Sequence, residues 1–234
     1  MKDAYQVFMS RFNISNEELI EFGVKESIFI EDSIDANWKE LKSNIEKGKQ
    51  KVFIRGYGRD AHGTEMYLKM YREIFGHFNF EKDPNNNNEP TKLIKKLSGY
   101  AKDVKTDRKY ERIRNYQVSH IFGRTKNPYT FTAPWNIVYV PKIIDPFTGH
   151  ESKGDLTKDF QLQFQGYCIN KYKAFIDDFN NIMEGLKPEI GKYLENITNN
   201  DQFRKDVLKQ FDPIILGDNH SMNDSRDNQI KKGE

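Results

Sequence analysis

Residues 116–155, YQVSHIFGRTKNPYTFTAPWNIVYVPKIIDPFTGHESKGD, gather the side chains best suited to chemistry on a phosphate ester. His120 closes one apolar stretch, Asn136 opens the next, and a Gly149–His150 pair precedes a helical pattern. Hydrolysis of a phosphodiester needs an activated water, positive charge on the phosphate and help for the leaving oxygen. A neutral imidazole, with a pKa near ~6.5, can take the water's proton at neutral pH. A divalent ion can stabilise the charge on the phosphate and on the leaving group. Arg124 and Lys126 lie between His120 and Asn136, and a guanidinium there could make a forked contact to phosphate.

The elements that must position these residues are legible from patterning. NYQVSHIF and WNIVYVPKII are rich in β-branched and aromatic residues, and Gly123, Pro128 and Pro134 lie between them, so two strands joined by a long loop are expected. After Gly154 the apolar positions Phe160, Phe164, Tyr167, Phe175, Phe179, Ile182 and Leu186 predict a long helix, with Pro188 as its stop.

A strand–loop–strand–helix unit carrying His, Asn and His in that order resembles the HNH (ββα-metal) endonucleases. The resemblance covers these forty residues and no more of the chain. It implies His120 as the base, Asn136 as an organiser of the loop through backbone hydrogen bonds or as a metal ligand, and His150 as a ligand. It implies one divalent ion (Mg²⁺, Mn²⁺ or another transition ion) and double-stranded DNA as substrate, in the setting of a restriction enzyme or mobile-element nuclease. The sequence departs from the pattern twice. Ser119 stands where the family usually has an acidic or His ligand, and the interval from Asn136 to His150 is long, so either the metal is held by fewer protein ligands or Asp145 or Glu151 completes its shell.

The rest of the chain predicts an α+β fold, mostly helical around this small core. Ser15 and Glu18 form a capping-box pattern ahead of Leu19, Ile20 and Phe22. Trp38, Leu41 and Ile45 mark a second helix, and Lys51 to Arg55 a short strand. Glycines at 56, 58 and 63 then give a turn. Tyr67, Met70, Tyr71, Ile74 and Phe75 follow the helical period, with Thr64 as N-cap. Residues 81–90 (EKDPNNNNEP) read as a polar loop that buries nothing, and as a boundary between a helical region 1–90 and a region 91–216 holding a basic segment and the core. A short helix is expected over Thr91 to Leu97 and another over 201–211. Residues 217–234 lack apolar periodicity and read as a disordered tail.

Lys and Arg total 37 against 35 for Asp and Glu, so affinity for nucleic acid would have to come from the distribution of charge rather than its sum. The basic residues crowd into the stretch before His120, including Lys105, Arg108, Arg112 and Arg114. With Arg55, Arg59 and Lys126 they are the expected DNA contacts, although a solvated helix face would look the same. The one cysteine, Cys168, excludes an intrachain disulfide and a four-cysteine zinc site and reads as a buried thiol. No apolar run approaches the ~20 residues of a membrane span, so a cytosolic protein is expected. A palindromic target would call for a symmetric homodimer.

Three other readings fit parts of the chain. Asp145 with Glu151-Ser152-Lys153 supplies the residue types of the Asp…Glu-x-Lys nucleases, but Pro146 and Gly149 break any strand there. The Gly56–Gly63 turn could seat a phosphate at a helix N-terminus, yet its spacing fits neither the dinucleotide nor the P-loop fingerprint. A non-enzymatic DNA-binding regulator would use the N-terminal helices and the basic segment, and would leave residues 116–155 unexplained.

Overall fold

Local sequence rules account for most of the elements. The computed structural model describes residues 2–57, 61–102, 109–149, 151–197 and 200–215. In chain order they form α1 (Ala4–Phe12), α2 (Asn16–Lys25), β1 (Ile28–Phe29), α3 (Ile34–Lys47), β2 (Val52–Ile54), α4 (Ala61–Phe75), β3 (Phe80–Lys82), α5 (Asn88–Ser98), β4 (Tyr100–Lys102) and β5 (Glu111–Ile113). There follow β6 (Tyr116–His120), α6 (Pro128–Phe131), a 3₁₀ turn (Pro134–Asn136), β7 (Ile137–Pro141), α7 (Asp145–Thr148), α8 (Asp155–Lys171), α9 (Lys173–Glu195) and α10 (Asp201–Phe211). The fold is α+β. The expected capping box is present: Glu18 N donates to Ser15 Oγ at 3.1 Å and Ser15 N to the Glu18 carboxylate at 2.7 Å. These bonds satisfy amides that a helix start leaves without partners.

The main sheet has the order β1–β7–β6, antiparallel throughout. Its middle strand β7 is buried at all five residues, which explains why IVYVP shows no polar alternation. β6 is an outer strand and alternates. Val118 and His120 are buried, while Ser119 between them faces the other way and is half-buried. β2 and β3 pair in parallel across α4, and β4 pairs in parallel with β5. One hydrophobic cluster runs from Met9 to Ile214. Within it Trp38 meets Trp135 edge to face at 5.5 Å, and Trp135 meets Phe179 at 5.5 Å. α2 lies close on α8 because Gly23 has no side chain: a Cβ there would sit 2.5 Å from the Phe160 ring.

Four expectations are corrected. Residues 81–90 do not merely skirt the surface, since Asp83 is fully buried and its carboxylate accepts from Asn85 N, Asn88 N and Glu89 N at 2.8–3.0 Å. A charge-bearing group that gathers three amides can be buried where an unpaired one could not. Pro188 does not stop a helix but lies inside α9, exposed, where the carbonyl left without its N–H partner can meet water. The long helix after Gly154 is instead broken at Tyr172, whose hydroxyl donates to Ile30 O at 2.8 Å. Thr64 is not an N-cap. It lies within α4, and its Oγ1 accepts from Tyr57 N at 2.8 Å.

Among the described residues no helix is long and apolar enough to cross a membrane. Arg59, Lys105, Arg108, His150 and the expected tail at 217–234 lie outside the described residues.

Candidate functional site

β6 and β7 are joined by a sixteen-residue connection, residues 121–136, extending beyond the His120↔Ile137 pair, which would be loose without internal ties. Asn136 supplies three. Its Oδ1 accepts from Phe122 N at 2.9 Å, and its Nδ2 donates to Gly123 O at 3.2 Å and Thr130 O at 3.0 Å. The side chain is fully buried, so its carbonyl and amide ends are spent on the loop. Asn127, also fully buried, accepts from Tyr129 N at 2.9 Å and donates to Gln210 O on α10 at 2.9 Å.

His120 sits where β6 enters this loop, only 8% exposed. Its Nε2 lies 2.9 Å from Phe131 O, and its ring stacks on the Phe131 ring at 5.5 Å and 13°. A carbonyl oxygen can only accept, so Nε2 carries the proton and Nδ1 keeps the lone pair. The strand register and the stacked ring set the plane of the imidazole. Burial lowers its pKa to about 4, assisted by the charge of Arg55 and opposed by the Phe131 carbonyl and Asp83. At neutral pH the ring is an uncharged base.

The end of β6 and the end of α7 come together, although about thirty residues separate them. Ser119 Oγ lies 3.0 Å from Thr148 Oγ1. From α8, Gln161 donates to Gly149 O at 2.7 Å and Gln165 to Ile121 O at 3.0 Å. Asp145, at the start of α7, has its carboxyl held above the usual carboxylate range by burial and by Glu151, with Lys102 opposing. Neither Asp145 nor Glu151 lies on a strand.

The cations named from sequence are spread out. Arg124, at φ +50°, donates through Nη2 to Pro213 O at 2.9 Å. Lys126 pairs with Asp206 and lies over the Tyr57 ring at 3.8 Å, with burial pulling its pKa down. Both therefore tie the loop to the C-terminal segment. Arg55 is exposed at the end of β2, its backbone N–H bonded to Thr125 O at 2.9 Å. Arg112 on β5 and Arg114 just beyond it are exposed. Sequence reasoning passed over Asn127, Gln165 and Gln210, whose partners lie 44 to 84 residues away, beyond the reach of any local pattern.

The comparisons with known proteins cover this whole arrangement. A family described as uncharacterised protein PM1201 matches residues 30–219. The chain belongs to the PM1201 family. A relative from Pasteurella multocida (strain Pm70), described as uncharacterized protein PM1201, is 42% identical over 211 residues, 90% of this chain and 92% of the relative. No solved structure matches the chain. The PM1201 match begins at Ile30, after β1, and contains β6, β7, their loop, α8 and α10, so every residue of the site just described falls within it.

Proposed function

We propose that this protein is an endonuclease that hydrolyses phosphodiester bonds in double-stranded DNA, with His120 as the base. The observation that carries the reading is the His120–Phe131 pair. A backbone carbonyl holds the proton on Nε2, and that leaves Nδ1 as the nitrogen able to accept a proton from water. Asn136 supports it by holding the loop through backbone bonds, one of the two roles the HNH resemblance allows.

Among the described residues the divalent ion that the resemblance implies finds no set of donors, and His150, the ligand it points to, lies outside them. Both ends of the Asn136 side chain are committed to the loop, and among the described residues no group of three or more His, Cys, Asp or Glu is placed to hold an ion. The chemistry assigned here is therefore that of His120, which takes the water's proton, and of Asn136, which keeps the loop around it.

The test is conversion of supercoiled plasmid to nicked or linear DNA by the purified chain, in Mg²⁺ and in Mn²⁺. His120→Ala should slow it by about 10²-fold or more with DNA binding retained, since a general base acts in the chemical step. Undiminished nicking by His120→Ala would remove His120 from the chemistry. DNA that is bound but left intact in both ions would favour a non-enzymatic DNA-binding protein.

A further inference from the structure

The peptide that follows His120 is held from two sides. Ile121 N donates to Asn136 O at 2.9 Å, and Ile121 O accepts from Gln165 Nε2 at 3.0 Å. The next amide, Phe122 N, donates to the Asn136 side chain. Asn136 thus grips this turn from the β7 side and Gln165 from α8. Ile121 is only 3% exposed, so little water is at hand to take over a lost bond. Gln165 is half-buried and one helical turn from Gln161, about 6 Å along the axis. The same face of α8 therefore reaches Ile121 at one point and Gly149 at the other.

We infer that Gln165 is a positioning residue for His120. By holding the Ile121 carbonyl it sets the direction in which β6 delivers the imidazole, and so keeps Nε2 on the Phe131 carbonyl and the Nδ1 lone pair on the opposite side of the ring. The inference rests on the endonuclease reading for its effect on turnover, but not for its effect on the imidazole.

The experiment compares wild type with Gln165→Met and Gln161→Met. Methionine keeps the length and helix propensity of glutamine and removes the donor. The ¹⁵N resonances of the His120 ring report the tautomer directly, because protonated and unprotonated ring nitrogens are well separated. Wild type should show a protonated Nε2 and a bare Nδ1. In Gln165→Met that separation should collapse toward the average of two exchanging tautomers, while Gln161→Met keeps the wild-type pattern. Plasmid nicking by Gln165→Met should lose about tenfold or more in kcat with KM within about twofold, the mark of a misplaced group rather than a lost contact to substrate. A Gln165→Met ring spectrum identical to wild type overturns the assignment whatever the kinetics. An equal collapse in Gln161→Met also overturns it, because the effect would then belong to the packing of α8 in general. If no protein in the series nicks DNA but the tautomer pattern changes as stated, Gln165 stands as a positioning residue and the endonuclease reading falls. Should Gln165→Met fail to fold, Gln165→Asn, too short by one methylene to reach Ile121 O, is judged by the same spectra.

Discussion

Phe131 meets His120 twice: its carbonyl oxygen lies 2.9 Å from Nε2, and its ring stacks on the imidazole at 5.5 Å. The first contact sets the tautomer and the second sets the plane. Both come from a residue eleven positions along the chain, at the end of α6, so the state of His120 depends on the loop keeping its shape.

That dependence has a pH signature. Burial holds the folded pKa of His120 at about 4, against an ordinary imidazole value of 6.5. Below pH 6.5 the unfolded chain takes up a proton that the folded chain refuses, so acidification favours unfolding. Stability from this group is fully present above pH 6.5 and is lost progressively as pH falls toward 4, by on the order of 3 kcal/mol in all. Urea titrations at several pH values between 4.5 and 7 should show wild type losing more stability on acidification than His120→Gln. Parallel curves for the two proteins would contradict a buried, neutral His120.

Asn136→Ala removes one acceptor and two donors from a buried loop. Each abandoned backbone group costs about 1–3 kcal/mol, so a loss of several kcal/mol is expected. Asn136→Asp keeps the acceptor for Phe122 N but sets an oxygen against Gly123 O and Thr130 O, and it should be no better than Ala. Denaturant midpoints of the three proteins decide this. Full stability in Asn136→Asp would mean that the two Nδ2 bonds contribute little.

Lys126 and the Arg112–Arg114 pair should separate in salt titrations of DNA binding. Lys126 is committed to Asp206 and to the Tyr57 ring, so Lys126→Met should lower stability and leave the salt slope of affinity unchanged. Arg112→Glu with Arg114→Glu alters exposed positions and should leave stability nearly intact. For every phosphate contact those two make, the slope of log affinity against log salt should become shallower by about 0.9. A shallower slope in Lys126→Met would return that lysine to the DNA surface.

Sequence alone determined those features whose cause is local. The Ser15–Glu18 box, the helices over 67–75 and 201–211, and the strand ending at His120 all follow from caps and periods that span a few residues, as does the second strand, expected to open at Asn136 and found to start one residue later. It also named His120 and Asn136 as a pair around one loop, because a strand–loop–strand unit is written in consecutive residues. Tertiary structure decided what those residues touch. Asp83 could be buried only once the Asn85 amide and two amides of the α5 start closed around it. Pro188 could stay in a helix only because its side of α9 faces solvent. Arg124 and Lys126 read as phosphate ligands in the sequence, and the fold ties them to Pro213 and Asp206 of the C-terminal segment. Gln165 carries no mark in the sequence, since its partner lies 44 residues away across the fold. A side chain's type is a local fact, whereas its hydrogen-bond partner and its access to water depend on which distant segment packs against it.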